Sequence, residues 1–378
     1  MIDYEFLRFV WWILIIVLLI GFSVTDGFDM GVLTLLPFEG KKEVEKRIMI
    51  NTIAPHWDGN QVWLLTAGGA MFAAWPIVYS VSFSGFFIAM ILVLGALFFR
   101  PVGFEYRGKV ESTAWRKWWD FGLFLGGFIP SVVFGVAIGN LLEGVPFHFN
   151  ELMQATYTGT FWGLLNPFAL LCGILSCAML TTHGANWLQM KTTDALRARS
   201  QKISEVGAII TLILFVIGGI WLYFKNGFVL TSEVNPYGPS NPMGKDVVMQ
   251  AGAWFNNYNS HPVLYIFPLI AIIAPIFNVI FSKANRNGWA FFSSALTMLG
   301  IITTFAIAMF PFIMPSSTNP GMSLLMWDAT SSQLTLTIMF VLALIFTVIL
   351  LAYTIWAYIK MFGRIDANYI ESGKNPTY

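Results

Sequence analysis

Eight ionisable residues lie in or beside long apolar stretches of the sequence: Asp26, Asp29, His56, Asp58, Arg100, Glu105, Lys109 and Asp120. Asp26 and Asp29 stand in Thr25-Asp-Gly-Phe-Asp29, three apart, the spacing that sets two side chains on one helix face. His56 and Asp58 stand in Pro55-His-Trp-Asp-Gly-Asn-Gln61. An ionisable group inside a membrane span costs about 2.5–3.5 kcal/mol on insertion scales, so it is a functional candidate by default. Buried carboxylates beside an imidazole that titrates near neutrality can pass protons from one to the next. A single Asp near a helix end more often forms a structural pair. Three Asp, a His, Asn60 and Gln61 together shift the balance towards a relay. Metal binding fits less well, because His56 and Asp58 are two apart and a helix turns such positions away from each other.

The elements that must hold these residues are apolar. Of 378 residues, 57% are hydrophobic and 11% are charged, against roughly 25% charged in soluble domains. A bilayer span needs about 20 mainly apolar residues. That rule predicts an all-α integral membrane protein with spans near 9–31, 56–78, 81–100, 119–142, 161–183, 205–224, 262–282, 289–313 and 332–359, joined as one membrane domain with an outer loop at 226–261. Pro130, Pro268, Pro275 and Pro311 fall inside the fourth, seventh and eighth spans and are expected to kink them. Gly135 and Gly139 form a small-xxx-small pair suited to close helix contact. Trp11, Trp12, Trp115, Trp118 and Trp119 fall near span ends, as interfacial aromatics do. No internal repeat or low-complexity tract is evident.

Cytoplasmic loops carry an excess of Lys and Arg. Lys41, Lys42, Lys46 and Arg47 follow the first span, and Arg100, Arg107, Lys109, Arg116 and Lys117 the third. Lys191, Arg197, Arg199 and Lys202 follow the fifth, Lys283 and Arg286 the seventh, and Lys360, Arg364 and Lys374 the last. Only Arg8, Lys225 and Lys245 of the 21 basic residues fall on the other side. The alternation predicts an outer N-terminus and a cytoplasmic C-terminus, and adding or removing one span would spoil it. All eight ionisable residues then belong to the cytoplasmic half.

The remaining residues exclude more than they suggest. A net charge of +1 with no basic tract gives no support to nucleic-acid binding. Cys172 and Cys177 are five apart in one apolar segment, facing different sides of a helix, and read as packing residues. The N-terminus lacks the basic region and cleavage site of a signal peptide, so the first span is expected to remain in the mature chain. His148 and His261 lie in outer loops and His183 at the inner end of the fifth span; nothing forces a haem ligand. Trp327-Asp-Ala-Thr-Ser-Ser332 reads as a helix-capping cluster. There is no phosphate-binding glycine loop, zinc spacing or nucleophile elbow.

Several blocks nonetheless form a recognisable set: Asp26-Gly-Phe-Asp-Met-Gly31, Pro55-His-Trp-Asp-Gly-Asn-Gln-Val-Trp63, Phe98-Phe-Arg-Pro101, Met314-Pro-Ser-Ser317 and Trp327-Asp-Ala-Thr-Ser-Ser-Gln-Leu-Thr335. They resemble subunit II of cytochrome bd-type quinol oxidase, over essentially the whole chain. The resemblance implies two four-helix bundles plus one peripheral helix. It implies a partner, subunit I, sometimes with small single-span subunits, in a bacterial inner-membrane complex that oxidises quinol, reduces oxygen to water and builds a proton gradient. It implies that haem b and haem d are ligated by subunit I, and it leaves room for a structural quinone in this chain. On this resemblance Asp58 is the first choice for a proton relay, with His56, Asp29 and Asp26 beside it. Arg100 would tune them, while Glu105 and Lys109 would form the cytoplasmic entrance. A proton-coupled secondary transporter is the alternative from another class. It is weaker because its site would sit near the midplane between two matching halves. A third reading is a scaffold that moves nothing.

Overall fold

The computed structural model of the chain describes residues 2–372; Lys374 of the basic tail lies outside them. Helix α1 (Tyr4–Glu39) begins where the Asp3 side chain accepts a hydrogen bond from the Phe6 N–H at 2.9 Å, a standard N-terminal cap. At about 1.5 Å per residue this 36-residue helix outruns a hydrocarbon core of about 30 Å. After α2 (Glu43–Ile53) come α3 (Trp57–Ala74), α4 (Pro76–Gly85), α5 (Phe87–Tyr106) and α6 (Thr113–Glu143). A small hairpin, β1 (Phe147–Phe149) with β2 (Ala155–Tyr157), precedes α7 (Pro167–Lys191) and α8 (Asp194–Phe224). A second hairpin, β3 (Asn226–Leu230) with β4 (Val247–Ala251), and the short α9 (Asn256–Ser260) occupy the long loop. Then follow α10 (Ile266–Lys283), α11 (Asn287–Met309), the paired strands β5 (Phe312–Met314) and β6 (Leu324–Leu325), α12 (Gln333–Lys360) and α13 (Ala367–Glu371).

Among the described residues, eight helices are long and apolar enough to cross a bilayer. The predicted second span is not among them. Its residues form α3, whose opening Asp58-Gly-Asn-Gln61 is too polar, and the helix breaks at Trp75 ahead of Pro76. Yet α3 runs antiparallel to α1 over much of its depth. Asn60 meets Asp29 near one end. At the other end Ser331 bonds to the Ala73 carbonyl and accepts from Tyr4 through its own carbonyl. The third span is displaced as well. Pro76–Gly85 is a separate helix packed on β2, so the crossing helix starts at Phe87 rather than 81.

Helices α7, α8, α10 and α11 close a ring, each packing on the next, and α3, α1, α6 and α5 pack in that order beside it. Helix α1 lies between the two groups and touches α7 and α11 as well as α3 and α6. The α6–α7 crossing depends on missing side chains. A Cβ on Gly135 would stand 2.6 Å from the Ser176 Cβ, and one on Gly139 would stand 2.5 Å from the Ala169 Cα. Gly31 and Gly184 bring α1 and α7 equally close, with the Gly184 Cα 2.9 Å from a Cβ built on Gly31. Such small-residue seams let backbones approach where bilayer lipid supplies little hydrophobic drive. Helix α12 lies outermost against α1 and α3, and its most apolar stretch is only 6% buried.

The charged residues sort by end. Arg107 pairs with Glu43 and Asp120, Lys46 with Asp120, and Arg199 with Glu45; Lys191 bonds to the Met361 carbonyl. The basic segments after the first, third, fifth, seventh and last predicted spans thus gather at one end of the molecule. At the other, buried Arg8 donates to Thr330 at 2.9 Å and to the Gly238 carbonyl at 3.0 Å, and lies over the Tyr4 ring. Lys245 pairs there with Asp328 at 2.6 Å. Burial pushes the Asp328 carboxyl up and the Lys245 ammonium down, with the pairing opposing both shifts.

Two expectations need correction. Pro311 does not kink the eighth span, because α11 ends at Met309 and Pro311 lies beyond it. Trp11 is not an interfacial residue. It is 4% exposed and donates its indole N–H to the Leu336 carbonyl at 3.1 Å, inside a core with Leu7, Trp75 and Phe147.

Candidate functional site

The i, i+3 spacing holds: Asp26 and Asp29 lie on α1 and both are fully buried. Arg100, on the late turns of α5, reaches Asp26 through Nη1 at 2.6 Å with both side chains inaccessible to solvent. Its Nε donates to the Gly126 carbonyl of α6 at 3.0 Å. Gly126 permits this approach, since a Cβ there would stand 3.2 Å from the Arg100 Cγ. Asp29 accepts from Asn60 Nδ2 of α3 at 2.8 Å. Asn60 Oδ1 in turn accepts from the Tyr358 hydroxyl of α12 at 2.5 Å. The Tyr358 ring stacks on His56 with centroids 4.6 Å apart, and His56 meets Trp187 of α7 edge-on. Four of the predicted residues are therefore brought into one neighbourhood: Asp26, Asp29, Arg100 and His56.

The balance of charge is unusual. Two buried carboxylates face one guanidinium, and Asp26 Oδ2, Asp29 Oδ1 and Arg100 Nη2 have no hydrogen-bond partner among the described residues. An isolated buried charge is strongly disfavoured, so the group is neutral when one carboxyl carries a proton. A site of this kind can hold and release a proton without moving its backbone.

The other predicted residues lie apart. Asp58 is exposed on the outside of the chain and has no side-chain partner among the described residues. Two positions separate it from Asn60, and the helix turns the two side chains to different sides. Glu105 and Lys109 are exposed at and beyond the end of α5. Asp120 accepts from Arg107 at 2.6 Å and from Lys46 at 2.7 Å, in an ion-pair network that ties α2 to α6. Burial would lower the Arg107 pKa, but its bonds to Glu43 and Asp120 outweigh burial and raise it. That network reads as structural.

Sequence reasoning missed two participants. Tyr358 is one of several aromatics near the end of an apolar run, and no local pattern marks it. Glu39 is 1% exposed and accepts from Ser200 of α8 at 2.7 Å; it lay beyond the predicted end of the first span. His183 sits well inside α7, two turns before its end, not at the end as expected. It is fully buried, and its ring nitrogens are engaged by Ser294 at 2.7 Å and the Val24 carbonyl at 2.9 Å, with Phe291 stacked on the ring at 4.3 Å. An axial haem ligand must offer a free nitrogen to iron. His183 offers none, so it does not fit a haem.

Comparison with known proteins agrees with this architecture. The family model described as cytochrome bd terminal oxidase subunit II matches residues 7–361. The chain is 68% identical, over the full length of both, to a probable cytochrome oxidase subunit 2 of Haemophilus influenzae. It is 54% identical, again over the full length of both, to the cytochrome bd-I ubiquinol oxidase subunit 2 of Escherichia coli. Among solved structures it resembles a chain of the bd oxidase from Geobacillus thermodenitrificans, with a TM-score of 0.69 at 12% identity, covering 95% of this chain and 99% of that one. At that identity the likeness speaks for the fold alone.

Proposed function

The chain belongs to the cytochrome bd terminal oxidase subunit II family, and from that premise we propose that it gives its oxidase a proton inlet through the Asp26–Asp29 site. As subunit II of such a complex it acts with a subunit I, and the complex takes quinol and oxygen. In this reading the haems, b and d, belong to subunit I, which this chain braces. Small single-span subunits and a structural quinone are compatible additions. Nine crossings, with α3 as the second, put the basic end in the cytoplasm and the N-terminus outside.

One observation carries the inlet: a second buried carboxylate, Asp29, lies on the same helix face as the Asp26–Arg100 pair and connects through Asn60 and Tyr358 to His56 at the basic end. A proton arriving at His56 would reach Asp29 by reorientation of the tyrosine hydroxyl and bound water, while Arg100 holds Asp26 in place. Asp58, Glu105 and Lys109, all exposed, would collect protons at the mouth or meet the partner subunit. Drawing protons from the inner side stores about 2.3 kcal/mol per charge at 100 mV. The test is to purify the complex, record its haem spectrum, and compare quinol-dependent oxygen uptake in wild type, Asp29→Asn and Asp58→Asn. Loss of most uptake in Asp29→Asn with an unchanged haem spectrum is expected. Full uptake in Asp29→Asn refutes the inlet, and a complex without haem or oxygen uptake refutes the oxidase role.

A further inference from the structure

The basic end of the molecule also carries a pocket that the carboxylate site does not use. It opens between the end of α7, the turn from α10 to α11 and the segment after α12, with a volume of about 270 Å³. Lys191, Asn285, Asn287, Gly288, Phe362 and Arg364 line it, and no acid does.

Lys191 is the informative residue. It is 3% exposed, its Nζ donates to the Met361 carbonyl at 3.0 Å, and it lies over the rings of Trp187 and Phe362 at 5.2 and 5.3 Å. No carboxylate pairs with it among the described residues. Of the other buried cations, Arg100, Arg107 and Lys245 each have one, and Arg8 is instead held by Thr330, two backbone carbonyls and the Tyr4 ring. An ammonium carries three donors, and the Met361 carbonyl takes one. A buried cation is costly without a counter-charge, so the electrostatics of the pocket favour an anion.

Two further features converge on the same space. Arg364 is exposed at the rim and has no partner among the described residues. Helix α11 points its N-terminus into the pocket, and Arg286 before it provides no side-chain cap. The first-turn N–H groups of a 23-residue helix are thus free to bind an anion, aided by the helix dipole. Nothing lies within 4 Å of where a Gly288 Cβ would stand, so the approach is open. Basic pockets between helices at the cytoplasmic face suit phosphate head groups.

The surroundings select the source of that phosphate. Trp289 and Phe292 continue from Gly288 along α11 and are 58% and 52% exposed; Phe362 at the rim is 68% exposed. Such a surface suits an acyl chain and has no use for a free ion. We infer that this pocket binds the phosphate of an anionic phospholipid from the adjoining leaflet, held by Lys191, Arg364 and the α11 N-terminus. This site stands independently of the proton inlet.

The test uses the whole oxidase complex reconstituted in nanodiscs of phosphatidylglycerol and phosphatidylcholine in equal parts. After detergent extraction, retained phosphatidylglycerol is counted by native mass spectrometry. Arg364→Glu, at an exposed position on which the fold does not depend, is expected to lower retention about fivefold or more. Lys191→Gln should do the same, while the exposed Lys202→Gln at the same end retains the wild-type amount. Wild-type retention in Arg364→Glu and Lys191→Gln overturns the proposal. Displacement of the lipid by millimolar inorganic phosphate overturns the lipid source and assigns the pocket to free phosphate.

Discussion

At the scale of single residues, the site depends on the pairing of Asp26 with Arg100. Removing one partner of a buried ion pair leaves the other uncompensated, at about 3–5 kcal/mol. Arg100→Met is therefore expected to lose assembled complex or lower its thermal stability sharply, and Asp26→Asn combined with Arg100→Met should recover much of that loss. A thermal-inactivation series across the two single variants and the double decides it. Tyr358→Phe keeps the stacking on His56 but removes one hydrogen bond to Asn60, typically worth about 0.5–1.5 kcal/mol. It should slow oxygen uptake with little effect on stability; equal rates in variant and wild type would remove Tyr358 from the path. Asp26, Asp29 and Arg100 were legible in the sequence because helical spacing and apolar flanks single out buried charges. Tyr358 was not, because its partner Asn60 lies 298 positions away and an aromatic in an apolar run has many reasons to be there. Asp58 was placed first by the family resemblance, and its exposed position, turned away from Asn60, could not be read without the helix phase.

At the scale of elements, close crossings at glycine set the depth at which the charged side chains meet. Gly31 lies two residues after Asp29, and Gly184 one residue after His183, so the α1–α7 seam fixes the carboxylates against α7. Gly184→Ala would force the backbones apart, and overpacking of this kind costs about 1–3 kcal/mol. The expected result is a lower melting temperature together with reduced oxygen uptake; an unchanged melting temperature would mean that the seam is more compliant than its geometry implies. Helix α2 offers a pH test. Burial would raise the Glu45 pKa, but hydrogen bonds from Arg199 and the Lys41 and Lys42 amides hold it below its ordinary 4.5. A carboxylate whose folded value is depressed contributes stability above its unfolded value, and loses it as pH falls through the folded one. Wild type should therefore lose stability below about pH 4.5 more steeply than Glu45→Gln, which thermal inactivation at a series of pH values will show. Span positions could be read from apolar runs, α3 among them, although its polar start, which serves the site, leaves it less apolar than the other crossing helices. The Pro76–Gly85 helix escaped notice because a proline inside an apolar run can as easily start a helix as kink one.

At the scale of the whole molecule, the basic-residue count was the most informative sequence feature, because it depends on the whole alternation and not on any one boundary. The basic segments do meet at one end, with Arg8, Lys225 and Lys245 at the other. Single cysteines on a background of Cys172→Ser and Cys177→Ser report which end is which. A cysteine in place of Lys202 should react with a membrane-impermeant thiol reagent only after the cells are broken, and one in place of Asp246 in intact spheroplasts; the reverse pattern would place the inlet on the wrong side. The exposed face of α12 and the outward position of Asp58 both mark surfaces where lipid or subunit I would lie. The most direct measurement is proton uptake by the complex in proteoliposomes, followed with a pH indicator on the side of the basic loops, after an oxygen pulse to the reduced enzyme. With Asp29→Asn, uptake should slow at least about tenfold, equivalent to roughly 1.4 kcal/mol on the barrier, while haem reduction by quinol proceeds at the wild-type rate. Wild-type proton uptake in Asp29→Asn would contradict the assignment of the inlet to this site.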